Sequence, residues 1–283
     1  MTSPPPEPQP LLQPVFILVR PQLPENVGAV ARAMTNMGFN RLRLVNPCRD
    51  WDGSVALAVS AGADNVLING QVFASVEAAI ADLAVVIATT DRNRYLNKPF
   101  ADLPAAAVQM HGHLQNNTPL GILFGPERTG LENADIAPAN QMVSIPSDPD
   151  FSSLNLAQAV LVVAWQLRLN SLSDPAGAAA SIGSTSPPAP LAPKADLDFF
   201  LQRLGEKLVA AGFIDNLDLH RIKWRKIQNL FQKTPYSQGE LYLLQGILTA
   251  LTTPRPHQAR GEGRGEAKGE ASTDSSPPPI LTN

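Results

Sequence analysis

Three segments carry the residue types that could do chemistry. In the first, VRPQLPENVGAVARAM, a polar turn ends at Asn26, a good helix N-cap, and Arg32 follows about two turns into a run of small residues. Arg32 is the one strong cationic donor of that run. In the second, LFGPERTGLENADI, Gly125 and Gly130 flank the pair Glu127–Arg128 directly behind an apolar strand-like stretch. In the third, IPSDPDFSSLNLAQAV, residues Ser152, Ser153 and Asn155 sit where a loop becomes a long apolar helix. A guanidinium, hydroxyls, an amide and backbone brought close by glycine suit binding and charge stabilisation. Each segment alone also has a plain reading: a surface arginine, a Gly-Pro turn with an ion pair, and serine N-caps. Neither phosphate-binding glycine template, GxxxxGK[ST] or GxGxxG, is matched, and no His stands ready to activate a serine.

These segments need a scaffold. Apolar, β-branched runs occur at Val15–Val19, Leu42–Asn46, Val66–Ile68, Ala84–Thr90, Leu120–Gly125 and Met142–Pro146. Between them lie helical periods: NVGAVARAMTNM, SVEAAIADL and a stretch near Ala105–Leu114. A long helix over SLNLAQAVLVVAWQLRLN closes this part, with Leu154, Ala157, Leu161, Ala164 and Leu167 on one face. Strands alternating with helices predict an α/β fold with a mostly parallel sheet. In such sheets, ligands sit at the carboxyl ends of the strands, where all three segments fall. After residue 195 no strand-like run remains, and three helices are predicted.

Composition sets limits. Of 27 prolines, eight precede Glu25, five lie between Asp174 and Lys194, and five follow Thr253. The expected organisation is a disordered N-terminus (1–13), an α/β domain (14–170), a flexible linker (171–194), a helical extension (195–253) and a disordered tail (254–283). No stretch approaches the roughly 20 apolar residues of a membrane span, and the start MTSPPPEPQPLLQPV lacks the plan of a signal peptide. One cysteine, Cys48, and four scattered histidines leave no disulfide framework or metal centre. A cytoplasmic, metal-free protein without membrane association is the expectation.

Taken together, NVGAVARAM, LFGPERTGL and IPx(5)SSLNLA resemble the three ordered motifs of the SpoU/TrmH-like RNA 2′-O-methyltransferases of the SPOUT class. LRLVNP, SAGADNVLIN, ATTDRNR and the region GFIDN…KIQNLFQK…ELYLLQGIL are similar to the TrmJ branch. The resemblance spans about Val15 to Leu251. It implies a SPOUT-type parallel sheet with a C-terminal trefoil knot, a rare exception to unknotted folds, and a small all-α C-terminal extension. It implies S-adenosylmethionine bound by Thr89, Thr90 and Asp91, by Gly125, and by Ile145, Ser152, Ser153 and Leu154. It further implies a homodimer in which Arg32, supported by Ser153 and Asn155, serves the methylation of a ribose 2′-hydroxyl. Arg32 would either accept a proton transiently, with a phosphate beside it, or stay charged and stabilise an alkoxide. Glu127 would organise the second loop or help hold Arg32.

A net charge of −3 offers nucleic acid no global attraction, so RNA must be met locally. Arg221, Lys223, Arg225 and Lys226 surround Trp224 in a stretch free of acids, and Arg92 and Arg94 follow the fourth strand. With Asn26 and Glu127, these are the candidate substrate-binding residues. The resemblance makes the partner tRNA, methylated at nucleotide 32 of the anticodon loop. The alternatives are a 2′-O-methyltransferase of rRNA, a catalytically silent RNA-binding protein on the same scaffold, and a dinucleotide-dependent oxidoreductase. Against the last stand the missing GxGxxG and the lack of an acidic residue ending the second strand.

Overall fold

The structure is a computed structural model that describes residues 12–48, 51–91, 98–148, 150–173, 189–214 and 222–252. The first part of the chain runs β1 (Val15–Val19), α1 (Pro24–Asn36), β2 (Leu42–Val45), α2 (Gly53–Ser60), α3 (Asp64–Ile68), β3 (Gln71–Phe73) and α4 (Val76–Ile80). It continues through β4 (Val85–Thr89), β5 (Phe100–Asp102), α5 (Leu103–Gln115), β6 (Leu120–Phe124), α6 (Asn133–Ile136), β7 (Gln141–Ser144) and α7 (Leu156–Ser173). Three helices follow: α8 (Lys194–Ala210), α9 (Ile222–Gln232) and α10 (Gln238–Thr252).

The seven strands form one parallel sheet in the order β3-β2-β1-β6-β4-β7-β5. Late strands are inserted between early ones: β6 lies between β1 and β4, and β7 between β4 and β5. Strands at the centre must be apolar on both faces, and all five residues of β1 are buried. Phe16 and Leu18 join a core with α1, α5 and α7, whereas Val15, Ile17 and Val19 join a second core with α4 and α6. This is a three-layer α/β body.

Three expectations differ from the structure. Val66–Ile68 is not a strand but part of helix α3; three apolar residues cannot show a period. The buried face of α7 is Leu156, Val160, Val163, Ala164 and Leu167, while Leu161 is 38% exposed. That helix is apolar nearly all round, so periodicity alone could not choose its inner side. The linker is shorter than 171–194: α7 runs on to Ser173, and the backbone N–H groups of Ala192 and Lys194 donate to Tyr236 O and Leu83 O. The other disordered segments expected at the two ends fall almost wholly outside the described residues.

Helices α8 to α10 share a small core of their own around Leu197, Phe200, Leu201 and Leu241, with Phe231 edge-on to Phe200 at 5.3 Å. They are joined to the body by backbone bonds Lys194–Leu83 and Ala195–Ala81, and by the Asn140 amide donating to Gln232 O at 3.1 Å.

Candidate active site

The carboxyl ends of β4, β6 and β7 open into a cavity of about 330 Å³. Thr89, Thr90 and Asp91 enter it from the end of β4, and Gly125 from the end of β6. Ile145, Ser152, Ser153 and Leu154 enter from the loop after β7. All eight residues expected at the cofactor are thus brought to one place. Thr89 is fixed by donating its hydroxyl to Leu123 O at 2.8 Å, across to the neighbouring strand. The backbone N–H of Thr90 donates to Val143 O at 2.9 Å. Leu131, Leu156, Ala159 and Thr129 line the cavity as well. The TGL wording after Arg128 covers Thr129 and Leu131 and the SSLNLA motif covers Leu156, whereas nothing singled out Ala159.

Gly125 has a specific reason to be glycine. A Cβ there would lie 2.1 Å from Leu131 N and 2.3 Å from Gly130 C, inside backbone that cannot yield. The loop Gly125–Leu131 folds back on its own start, so the crowding comes from the protein and not from a ligand. Gly130 makes the return with φ +64°, and its N–H donates to Pro126 O.

A chain of side chains ties the three segments together. The Asn26 amide nitrogen donates to Glu127 Oε1 at 2.7 Å, and Gln22 N donates to Glu127 Oε2 at 3.1 Å. Asn155 Nδ2 donates to Asn26 Oδ1 at 3.2 Å, and Asn155 Oδ1 accepts from Ala157 N at 2.9 Å. Asn155 is therefore the cap of α7, a role expected of the serines. Asn26 is not a cap; it lies within the first turn of α1, which Leu23 precedes. It serves as the hub between the loops.

A second tie was not anticipated. Arg20, the first residue after β1, has φ +49° and makes paired bonds to Asp135 at 2.9 and 2.6 Å. Asp135, 5% exposed, also accepts from Glu132 N at the head of α6. A bidentate arginine–carboxylate pair fixes both distance and orientation. The signal in the sequence was a charged residue directly ending a fully buried strand.

Arg32 stands apart. It is exposed on α1, on the side with Glu25, Ala29 and Asn36, and does not line the cavity of its own chain. The opposite side of α1 is packed so closely on α2 that a Cβ on Gly28 would fall 2.2 Å from Ala56 O. Of the expected RNA-binding residues, Lys223, Arg225 and Lys226 are exposed on α9, with Trp224 half-buried among them. Lys223 is turned back to Phe213, bonding its carbonyl at 3.0 Å and covering its ring at 5.2 Å. Arg92, Arg94 and Arg221 lie outside the described residues. Among the described residues no group of acidic, His or Cys side chains is placed to hold a metal, and no helix is long and apolar enough to cross a membrane.

Residues 13–165 match the SpoU rRNA Methylase family. A tRNA (cytidine/uridine-2′-O-)-methyltransferase TrmJ of Yersinia enterocolitica is 33% identical over 246 residues, covering 87% of this chain and 94% of the relative. The TrmJ of Salmonella typhimurium is 36% identical over 237 residues, covering 83% and 95%. Among solved structures, TrmJ from Z. mobilis ZM4 superposes with a TM-score of 0.74 at 37% identity, covering 86% of this chain and all of that one. A probable methylase family protein from Haemophilus influenzae gives 0.54 at 31% identity, covering 83% and 94%. With the motif residues gathered at the ends of three parallel strands and the matches running across nearly the whole length of these relatives, this chain belongs to the SpoU methylase family, in its TrmJ-like branch.

Proposed function

We propose that this protein is an S-adenosylmethionine-dependent methyltransferase acting on a ribose 2′-hydroxyl of tRNA, at nucleotide 32 of the anticodon loop. The observation that carries this reading is the convergence of all eight expected cofactor residues on one cavity, tied through Asn26 to the helix that bears Arg32. At about 330 Å³, with hydroxyls, backbone groups and apolar walls, the cavity lies in the range of small-molecule cofactor sites. The cofactor, when bound, supplies an electrophilic methyl carbon on sulfur.

The protein's own residues do the rest. Ser152, Ser153 and the loop Gly125–Leu131 hold the cofactor by backbone and hydroxyl contacts. Ser153, which is exposed and lines the cavity, hydrogen-bonds the incoming ribose in this reading. The Arg32 guanidinium stabilises the developing alkoxide as the hydroxyl proton leaves to solvent. Asn155 and Glu127 position the loops through Asn26.

Arg32 is exposed and does not line its own chain's cavity, which supports its serving the site of a second copy. The outer face of α7 supports a homodimer: Leu161, Val162, Trp165 and Leu172 are exposed there, and α7 packs directly on α1. The insertion of β6 and β7 between earlier strands supports a trefoil knot formed as the chain passes from β6 through β7 into α7. The body, residues 14–173, carries the reaction, while the extension from about residue 191 meets tRNA through the basic face of α9.

Labelled S-adenosylmethionine supplied with bulk tRNA, followed by nucleoside analysis, tests this directly. Label appearing as a 2′-O-methylnucleoside, and absent with Arg32→Ala, is the expected result. Label on rRNA alone would move the substrate. Cofactor binding without transfer to either RNA would leave a silent RNA-binding protein.

A further inference from the structure

Arg128 is the one cationic side chain among the described residues that line the methyl-transfer cavity, and the roles assigned above leave it unused. We propose that Arg128 binds the phosphate on the 3′ side of the target ribose and thereby positions the 2′-hydroxyl for attack. The inference deepens the proposed function and rests on it. A plain reading of the second segment pairs Arg128 with its neighbour Glu127, and the structure does not. Glu127 spends both oxygens on Asn26 Nδ2 and Gln22 N, at 2.7 and 3.1 Å. The Arg128 side chain is exposed and makes no ion pair or hydrogen bond among the described residues. Its backbone is nonetheless fixed. Glu127 is held on one side, the Gly130 N–H closes the turn onto Pro126 O at 2.9 Å, and Leu131 beyond it is buried. A guanidinium has five donors and no acceptor. Presented from a fixed turn beside a cavity, such a group is a receptor for an anion.

The chemistry of the substrate says which anion. A ribose in RNA carries its 2′-hydroxyl and its 3′-phosphate on adjacent carbons, so the one cannot reach Ser153 without bringing the other to the same cavity. The other charged residues of the lining, Asp91 and Glu127, are carboxylates, which repel a phosphate unless a cation meets it. The planar fork of Arg128 can take two phosphate oxygens at once, which fixes the rotation of the sugar as well as its position. It also offsets a charge that would otherwise oppose the alkoxide forming beside it. Two guanidinium groups then divide the work: Arg32 of the second copy serves the oxygen that reacts, and Arg128 the phosphate next to it. The competing anion is the carboxylate of S-adenosylmethionine. The exposed position of Arg128 favours the RNA, which arrives from solvent.

The test uses a tRNA anticodon stem-loop and a second copy with one uncharged methylphosphonate linkage on the 3′ side of the nucleotide that the wild type methylates. On the all-phosphate RNA, Arg128→Gln should lower kcat/KM by about 10- to 100-fold, as for a lost hydrogen bond to a charged group. Its affinity for S-adenosylmethionine should be unchanged, which also shows that the fold is intact. Arg128→Lys should recover part of the loss, because a point charge replaces a fork. On the methylphosphonate RNA the wild type should lose a similar factor, and Arg128→Gln should lose nothing further, since both changes remove one contact. Full activity in Arg128→Gln, or losses that multiply when the two changes are combined, would overturn the inference. A cofactor affinity that falls as far as kcat/KM would overturn it too, assigning Arg128 to the cofactor carboxylate. No methyl transfer by the wild type to any RNA would instead sink the proposed function, and this inference with it.

Discussion

Asn26 and Glu127 stand 101 residues apart in the chain, yet the amide of one donates to the carboxylate of the other at 2.7 Å. The bond has a direction that propagates. A carboxylate only accepts, so Asn26 must turn its NH2 to Glu127 and its oxygen to the Asn155 NH2. Asn155 in turn presents its oxygen to the N–H groups at the start of α7. Every amide orientation in the series follows from the one negative charge.

Removing the hub should therefore uncouple the loops. Asn26→Ala should lower kcat/KM by about 10- to 100-fold, the equivalent of one or two charge-assisted hydrogen bonds. Cofactor affinity should change much less, because Asn26 is not in the cavity lining. Asn26→Asp should be worse, since it sets a second carboxylate against Glu127. Steady-state kinetics beside cofactor titration checks this, and equal losses in both quantities would refute the positioning role.

Gly125→Ala is expected to act on the cofactor cavity itself. The added methyl must push the Gly130–Leu131 backbone outward, at a cost of about 1–3 kcal/mol. Cofactor affinity should fall at least about tenfold. Gly28→Ala meets backbone equally closely, at Ala56 O, but away from the cavity. It should lower Tm with a smaller effect on cofactor binding, and calorimetry on both variants separates the two outcomes.

Trp165 is 50% exposed on α7 beside Leu161 and Val162. If this face joins two copies, Trp165→Glu should give a monomer by light scattering while cofactor binding persists. Methyl transfer should be lost with the dimer, because Arg32 would have no second cavity to serve. A dimer of unchanged affinity would place the interface elsewhere.

Two buried lysines should make stability depend on pH. Burial, with Lys194 and Lys233 nearby, pushes the Lys98 ammonium down to about 7, and burial takes Lys194 to about 8. Both titrate at 10.5 when unperturbed. Above about 7 the unfolded chain therefore holds more protons than the folded one, and stability rises with pH up to about 10.5. Below about 7 both states are charged and the destabilisation is fully present. The urea midpoint should climb between about pH 7 and 9, and Lys98→Met should flatten the lower part of that climb. A midpoint that falls over this range would contradict the burial of these groups.

The sequence was most legible where one physical demand dominated. Val15–Val19 reads as a central strand because both faces are buried, so every residue is apolar. The residues expected at the cofactor were read from motif wording, and the fold brings them to one cavity. The inner face of α7 was hidden because its exposed side is apolar as well, which the sequence cannot distinguish from a core. The short strands β3 and β5, three residues each and largely exposed, carry no hydrophobic signature at all. Arg20 could be singled out at the end of its buried strand, but its pairing with Asp135 could not be read, because it spans 115 residues and exists only once the sheet has ordered.

The interleaved strand order also bears on how the protein is made. During synthesis, β1 and β4 emerge long before Leu120–Phe124, the strand that must enter between them. A nascent chain ending near residue 115 would hold two apolar strands with a vacant slot and unpaired edges. Such edges invite pairing with other chains, and distant contacts of this kind form slowly. The same arrangement that builds the cavity thus leaves the growing polypeptide dependent on shelter until its second half has left the ribosome.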